Sequence, residues 1–251
     1  MTDAVPDPVA SGAAPDPVPS GAAPVAAGLT CLVPAYNEAA RIGGVLDVLA
    51  DHPLLDTVIV VDDGSTDGTA DVAAAKGVRV LRTPGNVGKT RALALGLGLV
   101  ATRHVMLIDA DLSGLTPEAI TALAAPVLSG AAGASISLRG NAPRSWRLIG
   151  VDYISGERVL PVALLAGQEA ALARLPRFGF EVFLNHRMRA AGLRVAIVRW
   201  PGVASPSKAA KRGLRAGIAA DIAMIRDIFR AVGPRACLGQ ILWLRRGGGP
   251  A

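Results

Sequence analysis

Apolar positions along the chain come in short runs, and the runs alternate between two periods. Residues 29–33 are apolar apart from Thr30 and are expected to form a short strand. Residues 38–50 place Ile42, Val45, Leu46 and Leu49 three or four apart, the spacing of one buried helix face. Residues 57–61 (TVIVV) form a second buried strand, and residues 67–76 a helix closed by Gly77. A strand over 78–81, a helix over 89–101 and a strand over 104–108 continue the alternation. Strands interleaved with helices predict an α/β chain with a doubly wound, mostly parallel sheet. Ligands of such sheets sit beyond the carboxyl ends of the strands. The informative positions therefore follow Val33, Val61 and Ile108.

The second half is less regular. A helix is expected over Pro117–Leu128 and a strand over 134–138. Residues 157–165 and 181–191 look helical, residues 194–199 form a strand, and a last helix spans about 208–232. The uncharged run 119–138 has transmembrane length, but Pro126, Ser129, Gly130 and Gly133 divide it into helix, turn and buried strand. Residues 6–24 contain a nine-residue tandem repeat rich in Pro, Gly and Ala, which cannot bury enough surface to offset ordering entropy. The expected organisation is a disordered extension over 1–28, one domain over 29–207, and a basic segment over 208–251.

Composition adds limits. A chain of 251 residues, 51% hydrophobic, can bury one α/β core. Aromatic residues make up 4%, too few for base-stacking platforms, so no nucleic-acid partner is expected. Cys31 and Cys237 lie far apart with no metal-type spacing, and the N-terminus has acids and prolines where a signal peptide has basic and apolar regions. A reduced, cytoplasmic protein is expected. The net charge of +6 is unevenly placed: residues 208–251 hold nine Lys/Arg and two Asp, whereas the remainder carries 17 basic and 18 acidic side chains. Basic segments of this kind meet anionic lipid or polyphosphate more often than they shape a fold.

Four motifs sit at strand-to-helix junctions. Val33-Pro34-Ala35-Tyr36-Asn37-Glu38 follows the first strand. Asp62-Asp63-Gly64-Ser65-Thr66-Asp67-Gly68-Thr69 follows the second; capping of the next helix accounts for Ser65, Thr66 or Asp67, but not for two adjacent acids, which repel unless a ligand or metal uses them. Asn86-Val87-Gly88-Lys89 reads either as a phosphate-facing helix start or as a Gly-rich turn, and lacks the spacing of a P-loop. In Asp109-Ala110-Asp111 the acids stand at i and i+2, so in extended chain both carboxylates can address one cation. Oxygen ligands of this kind suit Mg²⁺ or Mn²⁺ bridging a diphosphate.

In order and spacing, VPAYNE, VVDDGSTDGT, NVGKTRAL and DADL resemble the family 2 glycosyltransferases, over about residues 29–215 and most specifically over 29–112. The resemblance implies a GT-A (Rossmann-like) fold, a nucleoside-diphosphate sugar donor (UDP- or GDP-sugar) and a divalent metal, Mg²⁺ or Mn²⁺. It implies that Pro34, Tyr36 and Glu38 line the nucleoside pocket, that Asp63 with Asp62 addresses base or ribose, and that Lys89 lies near the nucleotide. It further implies that Asp109, Ala110 and Asp111 form the donor and metal motif, Asp111 counting also as catalytic. The second half resembles the short polyprenyl-phosphate sugar synthase-like and glucosyl-phosphoglycerate synthase-like members. By that resemblance Ser155, Gly156 and Arg158 belong to an acceptor-side loop, and Phe178–Val182 to an acceptor-side element. Some relatives complete the metal site with a His; the matching position here is Ser205, a poor ligand by comparison.

Glu181 is the candidate for the carboxylate that takes the acceptor proton, or else an acid at a helix N-terminus; Glu157 and Asp152 stand behind it. His52, His104 and His186 read as structural or surface residues. The helix over 208–232 repeats Leu214, Ile218, Ile222, Ile225, Phe229 and Val232, with basic residues largely on other faces, and reads as docked on the domain or as lying on an anionic membrane surface. Ile241–Arg246, with Trp243, adds an aromatic-aliphatic cluster that favours interfacial contact. The expected activity is transfer of a sugar to an acceptor hydroxyl or lipid phosphate. A nucleotidyltransferase is the enzymatic alternative, although VPAYNE stands where its Gly-rich basic loop would be. A catalytically degenerate nucleotide-sugar-binding protein at the membrane surface is the other, with Ser205 in its favour.

Overall fold

The structure, a computed structural model, describes residues 26–172, 175, 179–205 and 233–250. Its strands are β1 (Ala26–Ala35), β2 (Thr57–Asp62), β3 (Arg79–Arg82), β4 (Thr102–Leu107), β5 (Ala134–Arg139), β6 (Arg158–Pro161) and β7 (Val195–Trp200). They form one sheet in the order β3-β2-β1-β4-β6-β5-β7. All neighbours are parallel except β6, which runs antiparallel to both β4 and β5.

The two-residue period of the strands divides the core. Cys31 and Val33 of β1, with Val58 and Val60 of β2, face one apolar cluster; Leu32, Ile59 and Val61 face the other. The first cluster is covered by α1 (Ala39–Leu49), α2 (Thr69–Ala75) and α4 (Pro117–Leu128). The second is covered by α3 (Lys89–Leu97), the short α5 (Arg144–Ile149), α6 (Glu169–Leu172), α7 (Gly179–Ala190) and α8 (Pro234–Arg245). In α1 the buried residues are Ile42, Val45, Leu46 and Leu49, the stripe its spacing predicts. The uncharged run 119–138 is helix, turn and strand, with Thr116 capping α4 by accepting from the Ala119 N–H. Among the described residues no helix is long and apolar enough to cross a membrane.

Two expectations fail. Residues 157–165 are not a helix: β6 enters the sheet there, followed by a 3₁₀ turn over Val162–Leu164. A short apolar run has no period of its own, and the open slot between β4 and β5 decides its state. The C-terminal boundary also moves. The helix expected over 208–232 lies outside the described residues, as do residues 1–25, but β1 begins at Ala26, inside the segment read as extension. From Pro234 the chain packs into the domain. Cys237, Gln240, Trp243 and Leu244 of α8 are buried, and Trp243 Nε1 donates to the Gly249 carbonyl at 2.9 Å. Val195 N–H donates to Gly247 O, and Gly249 N–H to Leu193 O, tying the chain end to β7. Trp243 is therefore a core residue rather than part of an interfacial cluster; burying a side chain of this size contributes upwards of about 2 kcal/mol.

Candidate active site

The carboxyl ends of β1, β2 and β4 open on a cavity of roughly 670 Å³. The loops around it are built by hydrogen bonds between motifs far apart in sequence. Ser65 Oγ accepts from Asn37 N–H, Thr69 Oγ1 from Glu38 N–H, and Asp67 Oδ2 from Ala39 N–H, at 2.9–3.0 Å. The Ser, Asp and Thr of the second motif thus satisfy the free N–H groups at the start of α1, as well as their own turn. Asn37 Oδ1 returns the contact to Thr66 N–H, and Asn37 holds a left-handed φ of 54°, which Asn tolerates better than most residues.

The adjacent acids separate into two environments. Asp62 is fully buried, accepts from the Ser65 N–H at 3.1 Å and faces Arg82 Nε at 3.2 Å, so it does not reach the cavity. The direct donor contact expected of Asp62 therefore finds no support in the cavity lining. Asp63 does line the cavity. Its Oδ1 accepts from Val87 N–H and its Oδ2 from Gly88 N–H, each at 2.8 Å, which fixes the turn that delivers Lys89. Gly64 has φ 72°, and a Cβ there would lie 2.5 Å from the Gly85 backbone; only glycine lets these loops meet.

Lys89 is the hub of the cavity. Its Nζ stands 2.7 Å from Asp109 Oδ1 and 3.6 Å from Glu181 Oε1. Burial works against its charge, but Asp109 and Glu181 more than compensate and keep it protonated beyond the usual lysine range. Against the cost of its own burial, Asp109 is held below the usual carboxylate range by Lys89. Among the described residues Asp111 makes no ion pair, and Arg139 and Lys89 act on it less than its acidic neighbours do. Burial, then Asp109 and Glu38, push its carboxyl up to about 6. Pro34, Tyr36, Glu38, Ala110 and Glu181 also line the cavity, so every donor-side residue read from the sequence except Asp62 converges there.

None of Ser155, Gly156 and Arg158 of the expected acceptor-side loop lines the cavity. Ser155 and Arg158 are fully buried. Arg158 donates to Ser155 O at 2.7 Å, Asn185 Oδ1 at 2.6 Å and Tyr153 O at 3.2 Å, and so braces α7 beneath Glu181. It offers nothing to an acceptor, because its donors are used internally. Gly156 touches the Asp109 carboxylate. Behind that contact lies a group the sequence reading missed. Arg139 faces Glu157 and Asp152 at 3.4 Å each and donates to Ser205 Oγ at 2.8 Å. The available signal was an Arg at the carboxyl end of an otherwise uncharged strand, where site residues of open sheets gather. His52 is structural, as read, with Nε2 3.1 Å from Pro117 O and Nδ1 accepting from Leu54 N–H.

The donor set fits a divalent cation that arrives with a diphosphate. Asp109 and Asp111 face one cavity, and Asp111 is crowded by carboxylates while making no ion pair among the described residues. Among the described residues no three His, Cys, Asp or Glu side chains cluster as a metal cage, and Ser205 is engaged by Arg139. Mg²⁺-type ions are held by one or two carboxylates plus substrate phosphates, which matches this count.

Comparisons with known proteins agree with the geometry. Residues 30–162 match glycosyl transferase family 2. A 4,4'-diaponeurosporenoate glycosyltransferase of Staphylococcus aureus (strain MRSA252) is 36% identical over 100 residues, 38% of this chain. That match spans about a quarter (27%) of the relative's own length. Among solved structures, glucosyl-3-phosphoglycerate synthase from Mycobacterium tuberculosis, in complex with Mn²⁺, UDP-glucose and phosphoglyceric acid, superposes with a TM-score of 0.64 at 25% identity, covering 84% of this chain and 80% of that one. The same synthase with Mg²⁺ and UDP gives a TM-score of 0.60 at 25% identity, covering 77% and 79%. With the matched residues spanning β1 to β6 and supplying most of the cavity lining, the chain belongs to glycosyl transferase family 2 and has its GT-A type α/β fold.

Proposed function

We propose that the protein transfers a sugar from a nucleoside-diphosphate donor to an acceptor hydroxyl or lipid phosphate, with Mg²⁺ or Mn²⁺ held between Asp109, Asp111 and the donor diphosphate. The observation that carries this reading is the convergence of Lys89, Asp109, Asp111 and Glu181 on one cavity at the strand ends. A UDP-sugar is the favoured donor, because the synthase of similar fold holds UDP-glucose.

The bound cation would neutralise the departing diphosphate as the glycosidic bond breaks. The chain's own residues do the rest. Pro34 and Tyr36 offer an apolar and aromatic wall for the nucleoside, with Glu38 beside them; Tyr36 is 45% exposed and free to cover a base. Asp63 shapes the turn that carries Lys89. Lys89, protonated and lining the cavity, would offer the diphosphate a cation. Glu181, 7% exposed on the first turn of α7, is the acceptor-side base.

A second observation bears on where this happens. Leu238 and Leu242 are exposed on α8, flanked by exposed Arg235, Arg245 and Arg246. A basic and apolar face of this kind supports work at the anionic membrane surface on the cytoplasmic side.

The direct test is a thermal-shift panel of UDP- and GDP-sugars with and without Mn²⁺ or Mg²⁺, followed by assay of the best ligand for turnover. A ligand at 100 times its dissociation constant stabilises the folded state by about 2.7 kcal/mol. Metal-dependent stabilisation and donor turnover are expected. Stabilisation without turnover would leave a binding protein, and donor consumption only on addition of pyrophosphate, with nucleoside triphosphate and sugar 1-phosphate formed, would indicate a nucleotidyltransferase.

A further inference from the structure

The loop Ser155–Gly156–Glu157 meets the acidic pair from behind. An ideal Cβ on Gly156 would lie 2.8 Å from Asp109 Oδ2, 2.9 Å from Oδ1 and 3.1 Å from Cγ. Gly156 is absent from the residues with positive φ, so its backbone would accept any side chain. What excludes one is the Asp109 carboxylate itself.

The residues on either side of Gly156 are locked. Ser137 Oγ and Ser155 Oγ both meet Glu157 Oε2, at 2.7 and 2.8 Å, and all three residues are fully buried. Glu157 Oε1 faces Arg139 Nη1 at 3.4 Å, and the Ser137 N–H donates to Glu157 O at 3.0 Å. Glu157 thus joins β5 to the loop through side chain and backbone together. Asp109 is consequently confined from two directions, by Lys89 at Oδ1 and by Gly156, where the carboxylate leaves no room even for a Cβ. A buried carboxylate costs stability unless it is well partnered, and Glu157 is not among the residues that line the cavity. Its arrangement makes sense as support for its neighbour.

We propose that Glu157 is a positioning residue for Asp109. By gathering Ser137, Ser155 and Arg139, it presses Gly156 against the Asp109 carboxylate and fixes the orientation in which Asp109 faces the cavity. The inference rests on the reading of Asp109 as a holder of metal and diphosphate. Groups that orient a metal-binding carboxylate from outside commonly alter metal affinity by roughly 10- to 100-fold when changed.

The test measures two bindings by calorimetry on the whole chain: Mn²⁺ into protein saturated with UDP, and UDP into protein in EDTA. The unsubstituted protein must bind UDP more tightly with Mn²⁺ than in EDTA; if it does not, the reading of the metal site itself fails and takes the inference with it. Gly156→Ala is expected to weaken Mn²⁺ binding by roughly tenfold or more, while UDP affinity in EDTA stays within about twofold. Glu157→Gln keeps an acceptor for one hydroxyl but opposes an amide to Arg139, and is expected to lower Mn²⁺ affinity in the same direction by roughly threefold or more. Should Gly156→Ala fail to fold, Glu157→Gln, which leaves the backbone contact free of any added atom, carries the test alone. Unchanged Mn²⁺ affinity in a folded variant, or equal losses with and without the metal, overturns the proposal.

Discussion

The ammonium of Lys89, the first residue of α3, rests 2.7 Å from Oδ1 of Asp109, two residues beyond the end of β4. The pair stores a cation where a diphosphate would need one, and it occupies an oxygen that a metal would claim. Lys89→Met should therefore act in two directions. UDP affinity in EDTA should fall by roughly 10- to 100-fold, the worth of a hydrogen bond to a charged group. Mn²⁺ affinity without nucleotide should not fall, since Asp109 has lost a competitor. Calorimetry of the two ligands separately gives both numbers. Unchanged UDP affinity would reduce Lys89 to a counter-ion for Asp109 and Glu181.

Asp63 is 3% exposed, and its two oxygens accept the Val87 and Gly88 N–H groups. Asp63→Ala leaves both donors without that partner, at about 1–3 kcal/mol each if they stay buried. The expected result is a lower melting temperature together with equal weakening of UDP and UDP-sugar, because the turn carrying Lys89 loosens for both. A variant that discriminates between sugars while binding UDP normally would place Asp63 next to the sugar instead.

Asp111 predicts a trade between stability and binding. Its carboxyl titrates near 6 in the folded chain against an ordinary value of 3.8, so the folded state holds the extra proton between those limits. Stability from this group is present below about pH 4 and is lost as pH rises through about 6. Asp111→Asn should then raise the melting temperature in EDTA at pH 7.5 by roughly 2–8 °C, from about 1–2 kcal/mol of relieved crowding, and the gain should vanish at pH 4. The same variant should lose metal-dependent UDP binding. Calorimetric scans at the two pH values check the first part; equal shifts at both would mean that packing, not charge, sets the difference.

The contrast between these residues and those of the second half shows what the sequence made legible. Asp63, Asp109 and Asp111 stand just after short apolar strands, so strand ends could be counted and the acids placed on one rim, and Lys89 opens the helix that follows a Gly-rich turn. Asp62 looked equivalent to Asp63, but alternation turns neighbouring side chains to opposite faces, and only one of the two reaches the cavity. Arg158 was misplaced for a different reason. Resemblance to an acceptor-side loop put it at the site, yet three acceptors from Tyr153, Ser155 and Asn185 hold it inside. Those partners are up to 27 residues away, and no local pattern announces them. Trp243 was read from a polar flank of arginines, whereas its helix buries every third or fourth residue and exposes the rest.

That last helix carries the riskiest expectation. Arg235, Leu238, Leu242 and Arg245 lie at three- and four-residue intervals on the exposed face of α8, opposite Cys237, Gln240, Trp243 and Leu244. Leu238 is 57% and Leu242 42% exposed, so the two leucines form a small apolar strip bordered by charge. Residues 208–251 carry a net +7 in a chain of +6. Each basic residue near an anionic bilayer contributes about 1 kcal/mol, and no helix among the described residues is long enough to insert, so binding should be reversible and weakened by salt. Removing everything after Ser205 is not a fair test, because Trp243 and Leu244 would leave the core with the charges. Surface substitutions keep the fold. Arg235→Gln with Arg245→Gln and Arg246→Gln should lower co-sedimentation with phosphatidylglycerol vesicles by roughly tenfold or more. Leu238→Gln with Leu242→Gln should weaken the binding that survives at high salt. Neutral phosphatidylcholine vesicles should recruit little protein in any case. Equal recruitment of the arginine variant and the unsubstituted chain, at matched melting temperature, would remove the membrane surface from the account and leave α8 as a docked helix whose charges are simply solvated.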